Sequence, residues 1–266
     1  MKAQMNARRD RRGFTLIELV VVLLVLAGLA GILVPVVQNM VIKTHGSAGA
    51  SNIAEVAKAI QLFEAQFFTN PSGFDSLIAA GDSAVGEDHF TVITLDAAGA
   101  EALSDAGIAN VYDFTGPANT LDTFSSDKYA SAFGLPRAIG NGGQVVLLND
   151  EGIEELSLPP GQYAAFGVGE RCELVGTTML EAPVHFPEDG TKPTAKYSRF
   201  VAIYSLGGTF VPAVADDPVT PADESAPATV TGIGRAKLVT VAGLHAHGTD
   251  FELASLGKHL EEYYEN

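Results

Sequence analysis

Two histidines, His245 and His247, form a ligand-like cluster with Asp250 nearby. On a β-strand, residues two apart share a face, so both imidazoles could reach one metal ion. A structural or catalytic zinc site needs three or four ligands, and only these two histidines are firmly placed. Surface histidines are therefore the favoured interpretation, and no metal site is predicted from them.

Four carboxylates lie in a proline-rich, acidic stretch from Val214 to Gly232. Calcium takes oxygen ligands from flexible loops, so these residues are weak calcium candidates. Their spacing does not follow the twelve-residue helix–loop–helix pattern, and a solvated acidic loop between strands is the favoured interpretation. The four residues are Asp216, Asp217, Asp223 and Glu224.

The sequence offers no recognisable catalytic motif. It has no Gly-x-Ser-x-Gly, no His-Glu-x-x-His and no P-loop, and Gly167-Val168-Gly169 lacks the third glycine of a dinucleotide fingerprint. Cys172 is the single cysteine, so an intramolecular disulfide is impossible. It is either a reactive thiol or a small core residue, and catalysis would need a positioned histidine. The prediction is that the protein is not an enzyme and has no cofactor, with calcium as the open alternative.

The most unusual residue is Glu18, because it precedes a charge-free apolar run from Leu19 to Val37. As a helix this run spans ~28 Å, close to the hydrocarbon thickness of a bilayer. A carboxylate near the centre of a membrane helix costs about 2.5–3.5 kcal/mol on insertion scales. Glu18 must therefore be removed by processing or be paired with a cation.

Charge is distributed unevenly along the chain. Five basic residues against Asp10 give residues 1–13 a charge of +4, whereas the whole chain carries −16 and the remainder therefore −20. Basic flanks stay cytoplasmic under the positive-inside rule, which puts the acidic remainder outside the inner membrane. Such an acidic remainder argues against binding nucleic acid, which depends on Lys and Arg neutralising phosphates.

An ordinary signal peptide is the alternative for this segment. A signal peptide has an apolar core of about 7–15 residues followed by a small-x-small cleavage site. The apolar core here is longer and runs into Pro35-Val36-Val37-Gln38 without such a site. The small residue, Gly13, instead precedes the apolar run.

The stretch Gly13-Phe14-Thr15-Leu16-Ile17-Glu18 resembles the processing site of type IV pilins and type II secretion pseudopilins. The resemblance implies that a prepilin peptidase/methyltransferase cuts between Gly13 and Phe14 and methylates the new Phe14 amine. It implies that Glu18, fifth in the mature chain, pairs with the Phe14 amine of a neighbouring subunit during assembly. Pro35 stands at residue 22 of that chain, where many pilins also carry a proline.

The resemblance implies three regions: a leader at residues 1–13, a transmembrane or filament-core helix at 14–40, and an extracytoplasmic globular domain at 41–266 containing the acidic loop 214–232. It implies a single-pass protein of the bacterial inner membrane, with a cytoplasmic amino terminus and a periplasmic domain. The implied partners are like or related pilin subunits, the peptidase and an inner-membrane assembly platform, with no nucleic acid among them.

Hydrophobic periodicity predicts a helix from Phe14 to Phe68, weakest near residues 46–51. A short helix is predicted around Phe74–Ile78. β-Branched content predicts several strands without long helices between them, which favours an antiparallel sheet. A last helix is predicted at 250–264. The fold class is therefore α+β, with a long amino-terminal helix packed on an antiparallel sheet as in pilins. The predicted strands are 89–95, 142–152, 163–169, 176–186, 197–206 and 236–246.

The expected function is that of a structural subunit, a pseudopilin or minor pilin, in a type II secretion-like pseudopilus or type IV pilus. Many major pilins close a carboxy-terminal loop with two cysteines, which this chain cannot do, and this difference favours a pseudopilin or minor pilin. The alternative is a membrane-tethered binding module that forms no filament. The two differ in their dependence on Glu18.

Overall fold

The computed structural model describes residues 15–123, 125–185, 196–207, 209–211, 229–231, 234–247 and 250–257. The chain divides into two compact units, residues 1–42 and 43–266. Four α-helices and one short 3-10 helix (Ala118–Thr120) are present in the described part. The α-helices are α1 (Leu16–Phe67), α2 (Ala97–Ala106), α3 (Ser126–Ser131) and α4 (Asp150–Glu155).

The helix α1 begins and ends as its sequence predicts, within two residues. It starts after Thr15 and ends before Phe68, whose φ of 58° leaves the helical region. The helix continues without a break through residues 46–51, where the sequence predicts its weakest part. It also continues through Pro35.

Thirteen strands are present in the described residues, several of them only two or three residues long. They are β1 (Phe74–Asp75), β2 (Ile78–Ala79), β3 (Ser83–Ala84), β4 (Phe90–Thr94), β5 (Asn110–Phe114), β6 (Phe133–Ala138), β7 (Gln144–Leu148), β8 (Tyr163–Gly167), β9 (Arg199–Ser205), β10 (Thr209–Val211), β11 (Thr229–Thr231), β12 (Lys237–His247) and β13 (Asp250–Ala254).

Nine strands form one sheet in the order β13-β12-β9-β8-β1-β5-β6, with β7 and β4 branching from β8. The edge of β8 that faces away from β9 pairs with two strands. Ala164 and Ala165 pair with β7, and Gly167 pairs with Asp75 of β1. All pairings are antiparallel except that of β1 with β5. The predicted α+β class with a mostly antiparallel sheet is confirmed.

Both faces of the sheet are buried. One face packs against a stripe of α1 at helical spacing, formed by Ile53, Val56, Ile60 and Phe63. This stripe confirms the predicted amphipathic half of the helix, because a spacing of three and four residues keeps these side chains on one side. On the other face, α3 and residues 77–85, which contain β2 and β3, contribute Tyr129, Leu77 and Val85 to a second core.

Two predicted elements are wrong, and a third is wrong over its first residues. Residues 74–79 form β1 and β2 rather than a helix, because Leu77 has a φ of 61° and Asp75 is paired into the sheet. Residues 176–185 form turns with isolated bridges rather than a strand. Of the helix predicted at 250–264, residues 250–254 instead form β13, because they pair with β12 and bury Leu253 and Ala254. Residues 256 and 257 are helical, and residues 258–264 lie outside the described residues. Residues 82–143, which show few strand signals, contain β3 to β6 and two helices.

Candidate assembly site

The first part of α1 exposes its apolar side chains on all sides. Residues Leu16–Val34 have a mean hydropathy of 2.9, and none of that window is buried within the chain. Its large apolar side chains keep between 47% and 83% of their surface exposed. A soluble helix hides such a surface, so this one needs lipid or other protein around it. By length and composition it can cross a membrane.

Glu18 closes the start of this helix through a reciprocal capping box. Its Oε2 accepts hydrogen bonds from the Thr15 backbone N–H and the Thr15 hydroxyl, both at 2.8 Å. The Thr15 Oγ1 in turn accepts from the Glu18 backbone N–H at 3.4 Å. This is the Thr-x-x-Glu pattern that satisfies free N–H groups at a helix start, and the carboxylate also favours the positive end of the helix dipole.

Both hydrogen bonds that Thr15 donates to the Glu18 side chain converge on Oε2. Within the described residues, no hydrogen bond uses Oε1. The capping box thus occupies one carboxylate oxygen and leaves the other for a second donor. Gly13 and Phe14, the predicted processing residues, lie outside the described residues, as does the whole leader at 1–13.

His245 is not the surface histidine that the sequence favours. It is 1% exposed, its ring centroid lies 4.7 Å from that of His185, and its Nε2 lies 3.5 Å from Glu252 Oε2. The reason lies in the fold: His245 pairs with Glu252 of β13 on one side, and the ring of His185 packs against its own ring. The side chain of His247 lies outside the described residues.

No group of three or more His, Cys, Asp or Glu suited to a metal ion occurs among the described residues. The calcium candidates Asp216, Asp217, Asp223 and Glu224 lie outside them. The flanking strands β10 and β11 pair with each other in antiparallel orientation. Strand β11 occupies residues 229–231, so the predicted loop 214–232 includes a strand near its end.

Cys172 is a core residue. It is 2% exposed and packs in the α1-side core with Leu174 and Val168. Burial raises the pKa of its thiol well above the usual value, which keeps it protonated and a poor nucleophile. Of the two interpretations left open by the sequence, the structure favours the small core residue.

A buried polar cluster, which the sequence did not indicate, surrounds Asp75. This aspartate is fully buried and accepts hydrogen bonds from the hydroxyls of Tyr129 and Tyr197, the latter at 2.9 Å. Burial raises the pKa of Asp75 to about 6, although the two phenols and the charges of Arg199 and Arg171 act in the opposite direction. The cluster joins β1, α3 and the start of β9.

Arg199 is the second charged member of this cluster and is also fully buried. Its guanidinium lies 4.7 Å from the ring centroid of Tyr129 and donates to the carbonyls of Thr123 and Ala182. Its Nη2 lies 3.4 Å from Glu170 Oε1. The arginine therefore fastens two loops to β9. One sequence signal was available: an arginine inside the apolar strand Tyr197–Leu206 must have buried partners.

Stability should depend on pH through Asp75. Because folding raises the pKa of Asp75, its carboxyl stabilises the folded state most at pH values below the pKa of the unfolded chain, near 3.8. This stabilisation is lost as the pH rises through about 6. We therefore expect the free energy of unfolding of wild type, relative to Asp75→Asn, to fall by about 2 kcal/mol between pH 4 and pH 7. Urea unfolding of both proteins at each pH measures this difference. A difference that does not change with pH would contradict the prediction.

Comparisons with known proteins identify the segment that contains this capping box. The family model for the prokaryotic N-terminal methylation motif matches residues 8–34. No curated protein and no solved structure matches the chain. The matched segment includes the basic cluster, Gly13-Phe14, Glu18 and the apolar helix. The chain thus carries the prepilin signature of type IV pilin and pseudopilin-type precursors, a motif that implies processing by prepilin peptidase and assembly with other pilin subunits.

Proposed function

We propose that the protein is a structural subunit, a pseudopilin or minor pilin, of a type II secretion-like pseudopilus or a type IV pilus. The observation that carries the proposal is the methylation motif at residues 8–34, placed directly on an exposed apolar helix. In the membrane, lipid covers this helix. In a filament, the same surface packs against the helices of neighbouring subunits, through contacts that repeat without closing.

The geometry at Glu18 supports a specific assembly contact. Cleavage after Gly13 creates a cationic amine at Phe14, next to the helix start. That amine is unfavourable beside the positive end of a helix dipole unless a carboxylate is near. Since Thr15 uses only Oε2 of Glu18, Oε1 can accept a hydrogen bond from the Phe14 amine of a neighbouring subunit while the cap stays closed.

The contact between Glu18 and the Phe14 amine would set the axial register between neighbouring subunits. Around an apolar helix, side-chain packing alone permits many axial positions of similar energy. A carboxylate in an apolar bundle is stable only where it meets its cation, so one axial stagger is selected. Pro35 lies within the same helix and removes one backbone hydrogen bond there.

Intact-mass analysis of the membrane-extracted protein tests the processing step. We expect a chain that begins at Phe14 and carries one added methyl group at its amine. Expression without a prepilin peptidase is the control and should leave residues 1–13 attached. An uncut chain in the presence of the peptidase, or one cut after residue 38, would contradict the proposal and favour a tethered or secreted binding module.

A further inference from the structure

A cavity of about 480 Å³ lies in the globular unit where β4, β7 and β8 meet α4. Thr91 and Ile93 project from one face of β4, and Leu147 is the cross-strand neighbour of Thr91. Ile153 of α4 and Pro160 complete its apolar walls. The volume falls within the range of sites that hold small ligands or short peptide segments.

Gln162 brings an unpaired polar group to this cavity. It lies in the lining and is only 2% exposed. The next residue, Tyr163, packs in the opposite core, so Gln162 projects from the cavity's face of the sheet. Neither its Nε2 nor its Oε1 has a hydrogen-bond partner within the described part of the chain. A buried amide without partners is unfavourable, and such a group in a native protein calls for a partner.

The chemistry of the lining defines the missing partner. A carboxamide offers an N–H donor and a carbonyl acceptor side by side, and it is complemented by the N–H and C=O of one residue in an extended backbone, which lie on the same side. The aliphatic walls suit an apolar side chain. Asp150 is the charged residue of the lining, so an anion would be repelled. These features together fit a peptide group with an aliphatic side chain.

The sheet edge next to the cavity suits an extended segment. Strand β4 pairs with β7 alone among the described strands. The Leu95 N–H donates to Gly143, and the His89 carbonyl accepts from Asn149, so the odd-numbered backbone groups of β4 face β7. The backbones of Val92 and Thr94 consequently face the open side. An exposed edge of this kind accepts an added strand.

We propose that this cavity binds an extended apolar peptide segment, with the Gln162 carboxamide pairing with the backbone N–H and C=O of one residue of that segment. The aliphatic side chain of the segment fills the space between Ile93, Leu147 and Ile153. The site lies entirely in the globular unit and does not depend on the Glu18 contact. A chain that fails to form filaments would still bind the peptide.

The probe is N-acetyl-leucyl-leucine methylamide, compared with its ester analogue in which oxygen replaces the central N–H. Binding to the full-length chain in detergent is measured by calorimetry or saturation-transfer NMR. Gln162→Leu removes the amide at nearly constant volume. Gln144→Leu is the matched control, since it makes the same change on β7 outside the cavity lining. Thr91→Trp, at an exposed position of the cavity lining, adds bulk to the cavity without changing Gln162.

We expect the peptide to bind wild type and Gln144→Leu alike, and to bind Gln162→Leu at least tenfold more weakly. Thr91→Trp should abolish binding, and the ester should bind less well than the amide to wild type only. Gln162→Leu should keep or raise the melting temperature, because an unpaired buried amide is removed. Absence of binding to wild type, or equal binding to Gln162→Leu, would overturn the proposal. So would a lowered melting temperature of Gln162→Leu, because it would show that the amide is satisfied within the fold.

Discussion

Replacing Glu18 by alanine is expected to abolish fibre formation without lowering the amount of folded, membrane-inserted protein. The variant leaves the Phe14 amine of each neighbour without its carboxylate in an apolar bundle. Breaking a buried ion pair by removing one partner costs about 3–5 kcal/mol. At about 1.4 kcal/mol per tenfold change, each subunit contact would weaken by a hundredfold or more. Electron microscopy and immunoblotting of sheared fractions measure the effect.

Two further variants separate the charge of Glu18 from its capping role. Glu18→Gln keeps a side chain that can close a capping box but carries no charge, so it should also fail to assemble. Thr15→Ala keeps the charge and removes the hydroxyl of the cap, which costs about 1 kcal/mol of helix stability, so fibres should be reduced but present. Normal assembly by Glu18→Gln would show that the cap, and not the ion pair, is what Glu18 supplies.

Replacing Gly169 by alanine is expected to destabilise the globular unit by about 3 kcal/mol. An added Cβ would collide with the Tyr129 hydroxyl and with both carboxylate oxygens of Asp75. These atoms cannot yield, because Asp75 is fixed in the sheet between β8 and β5 and Tyr129 packs beneath Arg199. The melting temperature should therefore fall by roughly 10 °C for a domain of this size.

Gly140→Ala is the matched control for this substitution. A Cβ at Gly140 would meet nothing within 4 Å, and its backbone shows no positive φ. The melting temperature of this variant should stay within about 2 °C of wild type. Thermal unfolding followed by circular dichroism compares the two. If both variants melt alike, the cluster around Asp75 does not constrain the fold.

The residues near the start of the chain determine their own structure, since the signals there are local. The helix and its processing motif are predicted by four features in a fixed order: a basic cluster, a glycine, an aromatic residue and a charge-free run. The stripe Ile53, Val56, Ile60 and Phe63 predicts the packed face of α1 in the same way, from spacing alone. The sequence also predicts the strands β4, β8, β9 and β12, because each lies in a run rich in β-branched and apolar residues.

Tertiary structure alone decided the rest, because the deciding contacts join residues far apart in sequence. Strand β1 has two residues, and it exists because Phe74 and Asp75 pair with β5 and β8. Residues 250–254 have a helical pattern, but pairing with β12 makes them a strand and buries His245. The charge of Asp75 and the amide of Gln162 look like surface groups in the sequence. Only the folded sheet encloses them, and enclosure in a medium of low polarity is what makes their partners matter.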